Sequence, residues 1–310
     1  MSSRCVERRP RTHQRGVALV LVLLVFALAT LMAGRMLRAG QLALQRSADL
    51  ADTVQARYYA LGGEELARVL LREDVRTGGD RAAVDHLRES WAGGTRRFEI
   101  DDGLLEIEIT DESALFNLNG LLDARGVVDP AGVRRFARLL RAGGADPGFA
   151  SVVADWIDAD RLTASGSPEP ADPPALDRPF TDASELRAVP GFDPAWWEAL
   201  GGLLGTLPPA TPLNLNTAPS AVLVAWAEPG RETALASLIA RRERTPLRSV
   251  AEAGAVFGAA PGRLAVGSEF FRVHSHAAFR ERHVRVEALL RRDAAKGTIV
   301  LLARNDAARL

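Results

Sequence analysis

Eight carboxylates crowd a short stretch in the middle of the chain. They are Asp155, Asp158, Asp160, Glu169, Asp172, Asp177, Asp182 and Glu185. Carboxylate oxygens clustered on a loop suit Ca²⁺, which takes about six to eight oxygen ligands. Residues 118–210 contain 13 acidic residues and 8 arginines, a net charge of −5. A calcium site is therefore one interpretation of this stretch, with Asp158, Asp160 and Glu169 as the first candidate ligands and Asp172 and Asp177 as further ones.

The spacing of these acids departs from the EF-hand. The segment DADRLT, which begins at Asp158, lacks the third acid and the glycine of an EF-hand loop. A second interpretation assigns the carboxylates to helix N-caps and to a solvated surface. Asp182 precedes ASEL, which predicts an N-cap with Glu185 completing a capping box. From the residues alone, both interpretations are open.

A second group of side chains could bind zinc. His274 and His276 alternate onto one face of a predicted strand, and His283 is close in sequence. The only cysteine is Cys5, so the rest of the chain has neither a disulfide framework nor a Cys-based metal site. We favour the alternative to a zinc site, which is that these are ordinary surface histidines. The sequence contains no nucleophile elbow, P-loop or zincin motif, and we expect no enzymatic activity.

Two predicted hairpins place a Pro-Gly turn between helices, at Pro190-Gly191 and at Pro229-Gly230. Such hairpins resemble helix-hairpin-helix modules, which bind DNA backbones through basic residues. The first hairpin lies in the net-negative stretch, and only a small basic face of Arg241, Arg242 and Arg244 lies near the second. The formal net charge of the chain is zero. We therefore expect no nucleic-acid partner.

An apolar stretch lies near the N-terminus. QRGVALVLVLLVFALATLMAGR runs from Gln14 to Arg35, and no charged residue lies between Arg15 and Arg35. It is long enough to cross a bilayer as one helix, and the five arginines before it favour a cytoplasmic N-terminus. Three interpretations compete: a signal peptide cleaved near LMAGR, an uncleaved anchor, or a leader cleaved after Gly16. The third pattern is typical of type IV prepilins and pseudopilins.

The helix is expected to continue beyond the apolar stretch as an amphipathic one. No proline occurs from Arg35 to Arg72, and apolar residues recur near helical spacing at Leu50, Val54, Leu61, Val69 and Leu70. Gly62-Gly63 should interrupt the helix, because each glycine costs roughly 1 kcal/mol relative to alanine. Two helices hinged at this point are the alternative.

Strand patterns lie on both sides of the acidic middle. Leu105, Ile107 and Ile109 alternate with glutamates, and Asp102-Gly103 predicts a hairpin turn before them. The segment from Phe270 onward predicts at least three more strands, with Lys296-Gly297 in the last turn. About 140 residues of short helices, Pro and Gly separate the two groups of strands. The sequence therefore predicts an α+β fold with a helical region inserted into an antiparallel sheet.

Five segments occur in an order that resembles the protein K family of the type II secretion system, which are minor pseudopilins. The segments are QRGVALVLVLLVFAL, ITDESALFNLNGL, VADWIDAD, TDASELRAVPGF and LNLNTAPSAVL. The resemblance implies a pilin-like fold, with a long N-terminal hydrophobic helix, an antiparallel sheet and a large inserted α-helical domain. We divide the chain into a leader (1–16), a transmembrane assembly helix (17–34), an amphipathic helix with the first strands (35–117), the inserted domain (118–262) and the remaining strands (263–310).

The resemblance also implies a function. It is that of a minor pseudopilin at the tip of the periplasmic pseudopilus, which initiates pseudopilus assembly and supports protein export across the outer membrane. The implied partners are minor pseudopilins I and J, together with H, the major pseudopilin G and the prepilin peptidase. The implied location is the inner membrane, crossed once, with the C-terminal domain in the periplasm. A signal-anchored periplasmic binding or DNA-uptake module is the alternative of another class.

The resemblance assigns roles to residues of the apolar stretch. Prepilin peptidase would cleave between Gly16 and Val17, although the family usually has Phe or Met after the cleavage site. The fifth mature residue would be Leu21, where the major pseudopilin has a Glu that can neutralise a neighbour's terminal amine. Lateral packing would use small residues, namely Ala27, Ala29 and Gly34.

The resemblance further implies calcium in the inserted domain. Here the chain departs from the family, because SPEPADPPA replaces the usual Gly-Ala-Glu with a following Tyr. Glu169 aligns with the family's Glu, but the rest of that ligand loop has no counterpart.

Overall fold

The computed structural model describes residues 14–78, 84–160, 167, 175–258 and 262–309. The chain divides into two compact units between Gln55 and Ala56. Seven α-helices are described: α1 Gln14–Gly78, α2 Pro130–Ala142, α3 Phe149–Ile157, α4 Trp196–Leu200, α5 Ser220–Trp226, α6 Glu232–Arg244 and α7 Gly254–Phe257. The described strands are β1 Arg96–Ile100, β2 Gly103–Asp111, β3 Phe116–Asn117, β4 Leu204–Gly205, β5 Leu213–Asn214, β6 Leu264–Ala265, β7 Phe270–Phe279, β8 Arg282–Asp293 and β9 Thr298–Arg309.

The first unit is formed by the N-terminal part of α1. Its large apolar side chains from Val17 to Met32 are each more than half exposed within the chain. Among the described residues, α1 is the one helix long and apolar enough to cross a membrane, with a mean hydropathy of 2.8 in its best window. The Thr30 hydroxyl donates to the carbonyls of Phe26 and Ala27, so this polar group is satisfied within the helix.

In the second unit, α1 from Ala56 onward packs on a five-stranded antiparallel sheet. The strand order is β1-β2-β7-β8-β9. Small helix residues such as Ala56, Ala60 and Ala67 are fully buried against the apolar face of the sheet, which includes Ile107 and Phe271. These elements confirm the predicted fold class of a long N-terminal helix with an antiparallel sheet.

The two tight turns predicted from the sequence are confirmed. Strands β1 and β2 pair from Arg96↔Ile107 to Ile100↔Gly103, and Asp102 occupies the turn with a φ of 54°. Strands β8 and β9 are joined by a turn in which the Lys296 N–H donates to Asp293 and Gly297 has a φ of 63°. These turns make neighbours of strands that are consecutive in the chain.

Helices α2 to α7 occur between β2 and β7 and enclose a separate apolar core. That core contains Phe116, Phe136 and Leu139, each at most 3% exposed. Helix α2 begins with Asp129 as N-cap and Pro130 in the first turn. The predicted capping box of Asp182 and Glu185 is also present, at the start of a 3₁₀ helix, Ala183–Ala188.

The expected interruption at Gly62-Gly63 is wrong, because α1 runs unbroken through both glycines. A Cβ at Gly63 would lie 2.2 Å from Ser275 Oγ and 3.1 Å from a Leu105 methyl group. Gly63 therefore lets the helix backbone approach the sheet closely, and packing outweighs the helix propensity cost. Gly62 is exposed, and a Cβ there would meet nothing within 4 Å.

The two glycines should respond oppositely to alanine. We expect Gly63→Ala to reduce the free energy of unfolding by about 1–3 kcal/mol, because the methyl group overpacks the helix–sheet contact. Gly62→Ala should increase it by up to about 1 kcal/mol, through helix propensity alone. Urea unfolding followed by circular dichroism measures both, and equal effects of the two substitutions would contradict the close approach at Gly63.

Candidate functional site

The assembly residues predicted in the apolar stretch lie on an exposed helical surface. Val17 and Leu21 are 67% and 59% exposed. Leu21 therefore presents an exposed apolar side chain and has no carboxylate. Ala27 and Gly34 are seven residues apart and share one face of α1, whereas Ala29 points elsewhere. Gly16 belongs to α1, but its exposure is not among the described features.

The apolar stripe predicted further along α1 divides into exposed and packed positions. Leu50 and Val54 are 66% and 45% exposed. Leu61 packs against the core beneath the sheet of its own chain. The exposed residues of the stripe are therefore Leu50, Val54 and Val69, which is 46% exposed, whereas Leu61 and Leu70 pack against the core.

The structure brings some of the predicted calcium ligands to one end of α3. Asp158 follows the last residue of α3 and is 5% exposed, and Asp160 is exposed two residues later. The N–H groups of Leu176 and Asp177 donate to the Trp156 carbonyl at 2.9 and 3.3 Å, which returns the chain to this end of α3. Glu169 and Asp172 lie outside the described residues.

The C-terminal end of α3 is acidic. A helix C-terminus carries a partial negative charge, and a basic residue in the last turn usually offsets it. The last turn of α3 has no basic residue and contains Asp155, and the buried Asp158 follows immediately. Among the described residues, Asp158, Asp160 and Asp177 do not form a group of carboxylates close enough to share one metal ion.

Asp182 and Glu185 have a different role from the other acids. One Glu185 oxygen accepts from the N–H groups of Thr181 and Asp182 at 2.9 and 3.0 Å, and the other accepts from Arg178 at 3.1 Å. Asp182 accepts from the Ser184 N–H at 2.8 Å. These two carboxylates are therefore engaged in capping, as the second interpretation of the acidic stretch expects.

The asparagines of the FNLNG and LNLNT segments clamp loops of the helical region. Asn119 accepts from the Phe180 N–H and donates to the Phe180 carbonyl, at 2.8 and 2.9 Å. Asn216 makes the same pair of bonds with Leu247, at 2.8 and 3.0 Å. Asn117 in turn accepts from the Leu207 N–H. The FNLNG and LNLNT segments thus fix the backbone of the loops at Phe180 and Leu247.

A buried polar network joins the sheet to the helical region. Arg292 on β8 is 1% exposed and donates to Asp85 at 2.5 Å and to Asp74 at 2.9 Å. Ser268 donates its N–H to Asp85 at 2.6 Å and its hydroxyl to Asp111 at 2.5 Å. These residues are far apart in sequence, so sequence reasoning did not find the network. The available signal was that Arg292 continues the alternating apolar positions Val284, Val286, Ala288 and Leu290 of β8.

Asp111 receives further donors from the helical region. Thr217 donates its hydroxyl to Asp111 at 2.6 Å, and the Asn214 side chain donates to it at 3.2 Å. The Ser113 N–H donates to the other Asp111 oxygen at 2.8 Å. The end of β2 is thereby tied to the segment that leads into α5.

Comparison with known proteins covers both the helical region and most of the chain. Models of type II secretion system protein K match residues 114–209 and 213–268, which lie between β2 and β7. The type II secretion system protein K of Pseudomonas aeruginosa is 36% identical over 95% of this chain and 93% of its own length. This chain belongs to the type II secretion system protein K family.

Other members of the protein K family agree with this assignment. The Klebsiella pneumoniae protein K is 35% identical over 66% of this chain and 67% of its own length. The crystal structure titled as the GspK-GspI-GspJ complex from enterotoxigenic Escherichia coli contains a chain that matches with a TM-score of 0.68. That match has 21% identity and covers 84% of this chain and 99% of the other, so it supports the fold. This protein K family member is a minor pseudopilin, as the motif order predicted.

The histidines of this protein K family member form pairs on the sheet. His276 lies 3.2 Å from Glu106 and 3.3 Å from His283, and its ring stacks on the His283 ring. His274 lies 3.5 Å from Glu287. In the described part of the chain, the three histidines do not converge as one set of metal ligands.

The arginines near the second hairpin make hydrogen bonds and an ion pair with other residues of the same chain. Arg242 donates to the carbonyls of Leu215 and Ala218 at 2.6 and 2.7 Å, and Arg241 pairs with Glu252. Two of the three residues of the small basic face thus stabilise the fold around the hairpin.

Three acids beside Arg292 lie close enough to share a cation. Within the described residues, Asp74, Asp85 and Glu89 are one group whose ligand oxygens all lie within 4.8 Å. Arg292 already pairs with two of them. Burial raises the pKa of Glu89 to about 7, and the nearby Asp74 adds to this effect. Burial likewise raises the pKa of Asp111 to about 6, although the hydrogen bonds from Ser268 and Thr217 oppose it.

The raised pKa of Asp111 predicts a pH-dependent stability. Because the folded-state pKa lies above the ordinary value, the stabilisation from protonation is complete below about pH 4 and is lost as the pH rises through 6. Asp111→Asn removes this titration. The free energy of unfolding of the wild type should therefore fall relative to the variant by on the order of 2 kcal/mol between pH 4.5 and 7.

Urea unfolding at several pH values measures this difference. Glu99→Gln, at an exposed carboxylate on β1, is the control and should follow the wild type across the range. Parallel curves for the wild type and Asp111→Asn would show that Asp111 does not titrate in this window.

Proposed function

We propose that this minor pseudopilin occupies the terminal position of the periplasmic pseudopilus, initiates its assembly and supports export across the outer membrane. The supporting observation is Leu21, which cannot neutralise the terminal amine of a neighbouring subunit as the major pseudopilin's Glu can. An unpaired charge in an apolar phase costs several kcal/mol, so that pairing guides stacking. A subunit that lacks the acid suits a position with no further subunit above it.

The size of the head supports the same position. Helices α2 to α7 add a second apolar core to the sheet of the pilin-like fold. In a repeating filament, each globular head must fit within the axial rise per subunit. The additional helical core makes this head too bulky for such a position. The role proposed here is structural assembly, without catalysis.

The proposed partners are the I and J minor pseudopilins, with H and the major pseudopilin G below them. The structural relative from enterotoxigenic Escherichia coli was crystallised in a complex of GspK, GspI and GspJ. The apolar surface of α1, with the exposed Ala27 and the half-buried Gly34, suits lateral contact with other membrane helices. We place α1 across the inner membrane once, with the rest of the chain in the periplasm.

Prepilin peptidase is proposed to cleave between Gly16 and Val17. The mature protein should therefore begin with Val17-Ala18-Leu19 and have lost Cys5 together with the basic leader. Edman sequencing or mass spectrometry of the protein from membranes measures this. A mature N-terminus at or after Gly34 would instead identify a secretory signal peptide and contradict the pseudopilin processing.

Calcium is proposed to bind beside the C-terminal end of α3. Asp158, Asp160 and Asp177 would supply carboxylates, with Glu169 and Asp172 as additional ligands from the loop between them. The acidic composition of this stretch and the position of Asp158 and Asp160 directly after α3 support this proposal.

Calcium should therefore stabilise the soluble part, residues 40–310. A ligand that binds only the folded state adds about 2.7 kcal/mol at one hundred times its Kd, which raises the melting temperature. Asp160→Ala combined with Glu169→Ala should abolish the rise. Glu198→Ala, an exposed acid on α4, should retain it. A melting curve unchanged by millimolar calcium would leave the acids as a solvated surface.

The terminal position predicts a heteromeric complex with one copy of each subunit. Soluble domains of this protein and of its I and J counterparts, mixed and measured by light scattering, should give a species with equal copies of the three proteins. This protein should not form fibres by itself. Separate elution of this protein at every concentration would count against the model, and a self-assembled fibre would refute it.

A further inference from the structure

Two histidines meet on the face of the sheet opposite to α1. His276 on β7 and His283 on β8 alternate with Ala277 and Val284, which are buried in the core beneath α1. His276 Nε2 and His283 Nδ1 are 3.3 Å apart. The two rings are nearly parallel but strongly offset, with centroids 5.4 Å apart, so the ring edges that carry these nitrogens face each other.

The tautomer of His276 follows from its second partner. His276 Nδ1 lies 3.2 Å from Oε2 of Glu106. Glu106 is ion-paired with Arg97, so it is an ionised carboxylate and can only accept a hydrogen bond. Nδ1 therefore carries the proton, and Nε2 of the neutral ring directs a lone pair toward His283. A carboxylate behind the ring is the usual companion of a metal-bound imidazole, because it fixes the tautomer and raises the basicity of the ligand nitrogen.

The position of Glu106 is fixed by a third strand. Arg97 Nε on β1 donates to Oε1 of Glu106 on β2 at 2.7 Å, whereas His276 uses Oε2. The strand register places Arg97, Glu106 and His276 side by side across β1, β2 and β7. The orientation of the His276 ring is therefore set by the sheet before any metal binds.

The spacing of the two nitrogens fits zinc. Two nitrogens at about 2.0–2.1 Å from a tetrahedral zinc ion lie about 3.3–3.4 Å apart, which matches the separation between His276 and His283. Imidazole nitrogen suits Zn²⁺, whereas Ca²⁺ and Mg²⁺ take oxygen ligands. The His276 side chain is 29% exposed and His283 is exposed, so water can complete the coordination.

The charges around the pair permit a divalent cation. The groove beside His276 has a volume of about 270 Å³, and three carboxylates line it: Glu106, Glu108 and Glu287. Three arginines are neighbours as well. Arg97 pairs with Glu106, Arg285 lies across from His276 in the strand register, and Arg309 lies across from His283. The carboxylates balance the arginines, so a zinc ion would not approach a net positive surface.

We propose that His276 Nε2 and His283 Nδ1 bind one Zn²⁺, with Glu106 orienting His276 and water in the remaining positions. Without metal, the His283 Nδ1–H donates to His276 Nε2. Zinc takes the place of that proton, which passes through solvent to Nε2 of His283. His274 is not a ligand, because it faces Glu287 at 3.5 Å. The site lies outside the acidic stretch around α3 and does not depend on the proposed assembly role.

Isothermal titration of the full-length protein with Zn²⁺ in mild detergent tests the site. Every protein carries Cys5→Ser and no polyhistidine tag, and excess Ca²⁺ competes for carboxylate sites. The parent protein should bind one zinc ion. His276→Ala and His283→Ala should each lower the affinity at least about tenfold, because each removes one of two protein ligands.

Two further variants separate the roles of the neighbours. Glu106→Gln keeps an acceptor for the Nδ1–H but removes the charge, and should lower the affinity by about tenfold, as loss of a carboxylate behind a metal-bound histidine does. His274→Ala is the matched control, because it removes a histidine from the same face of β7. It should bind zinc as the parent protein does.

A second measurement follows the folded parent protein itself. With ¹⁵N-labelled histidine, Zn²⁺ should shift the side-chain nitrogen resonances of His276 and His283 and leave those of His274 in place. No zinc uptake by the parent protein would leave the two rings as a hydrogen-bonded pair only and overturn the proposal. Uptake that survives both alanine substitutions, or that shifts only other histidines, would place the metal elsewhere and overturn it as well.

Discussion

The ion pair between Arg292 and Asp85 lies where three parts of the second unit meet. Arg292 belongs to the end of β8, Asp85 to the segment that follows α1, and Ser268 bonds both Asp85 and Asp111. Through Asp111, the network reaches Thr217 and Asn214 in the helical region. The placement of the helical region at the end of the sheet depends on this junction.

Such a junction specifies one arrangement at an energetic cost. Removal of two charges from water is expensive, and loss of one partner from a buried pair costs about 3–5 kcal/mol because it leaves the other charge uncompensated. Arg292 faces Asp85 and Asp74, and Glu89 and Asp111 lie nearby with pKa values raised by burial. An excess of acids around one arginine makes the junction sensitive to proton uptake.

The features that the sequence predicted have local causes. The turns at Asp102 and Gly297, the Asp182 cap and the alternation of β2 each depend on residues within a few positions of one another. The family-specific segments identified the chain as a protein K, and their asparagines serve as backbone clamps. The continuity of α1 through Gly63 was missed because its cause, the contact with Ser275 and Leu105, is remote in sequence. The Arg292 network was missed for the same reason, and the ligand loop around Glu169 lies outside the described residues.

The pairing of β2 with β7 has a consequence for the order in which the chain folds. Arg272 on β7 pairs with Glu112, 160 residues earlier, just beyond the end of β2. Closing a flexible loop of that length would cost about 4–5 kcal/mol in chain entropy, before the strands gain any contact. If helices α2 to α7 first collapse around their own core, the ends of that loop are brought together in advance. The inserted region would then bring β2 and β7 together, whereas the hairpin of β8 and β9 joins strands that are consecutive in the chain and needs no such loop closure.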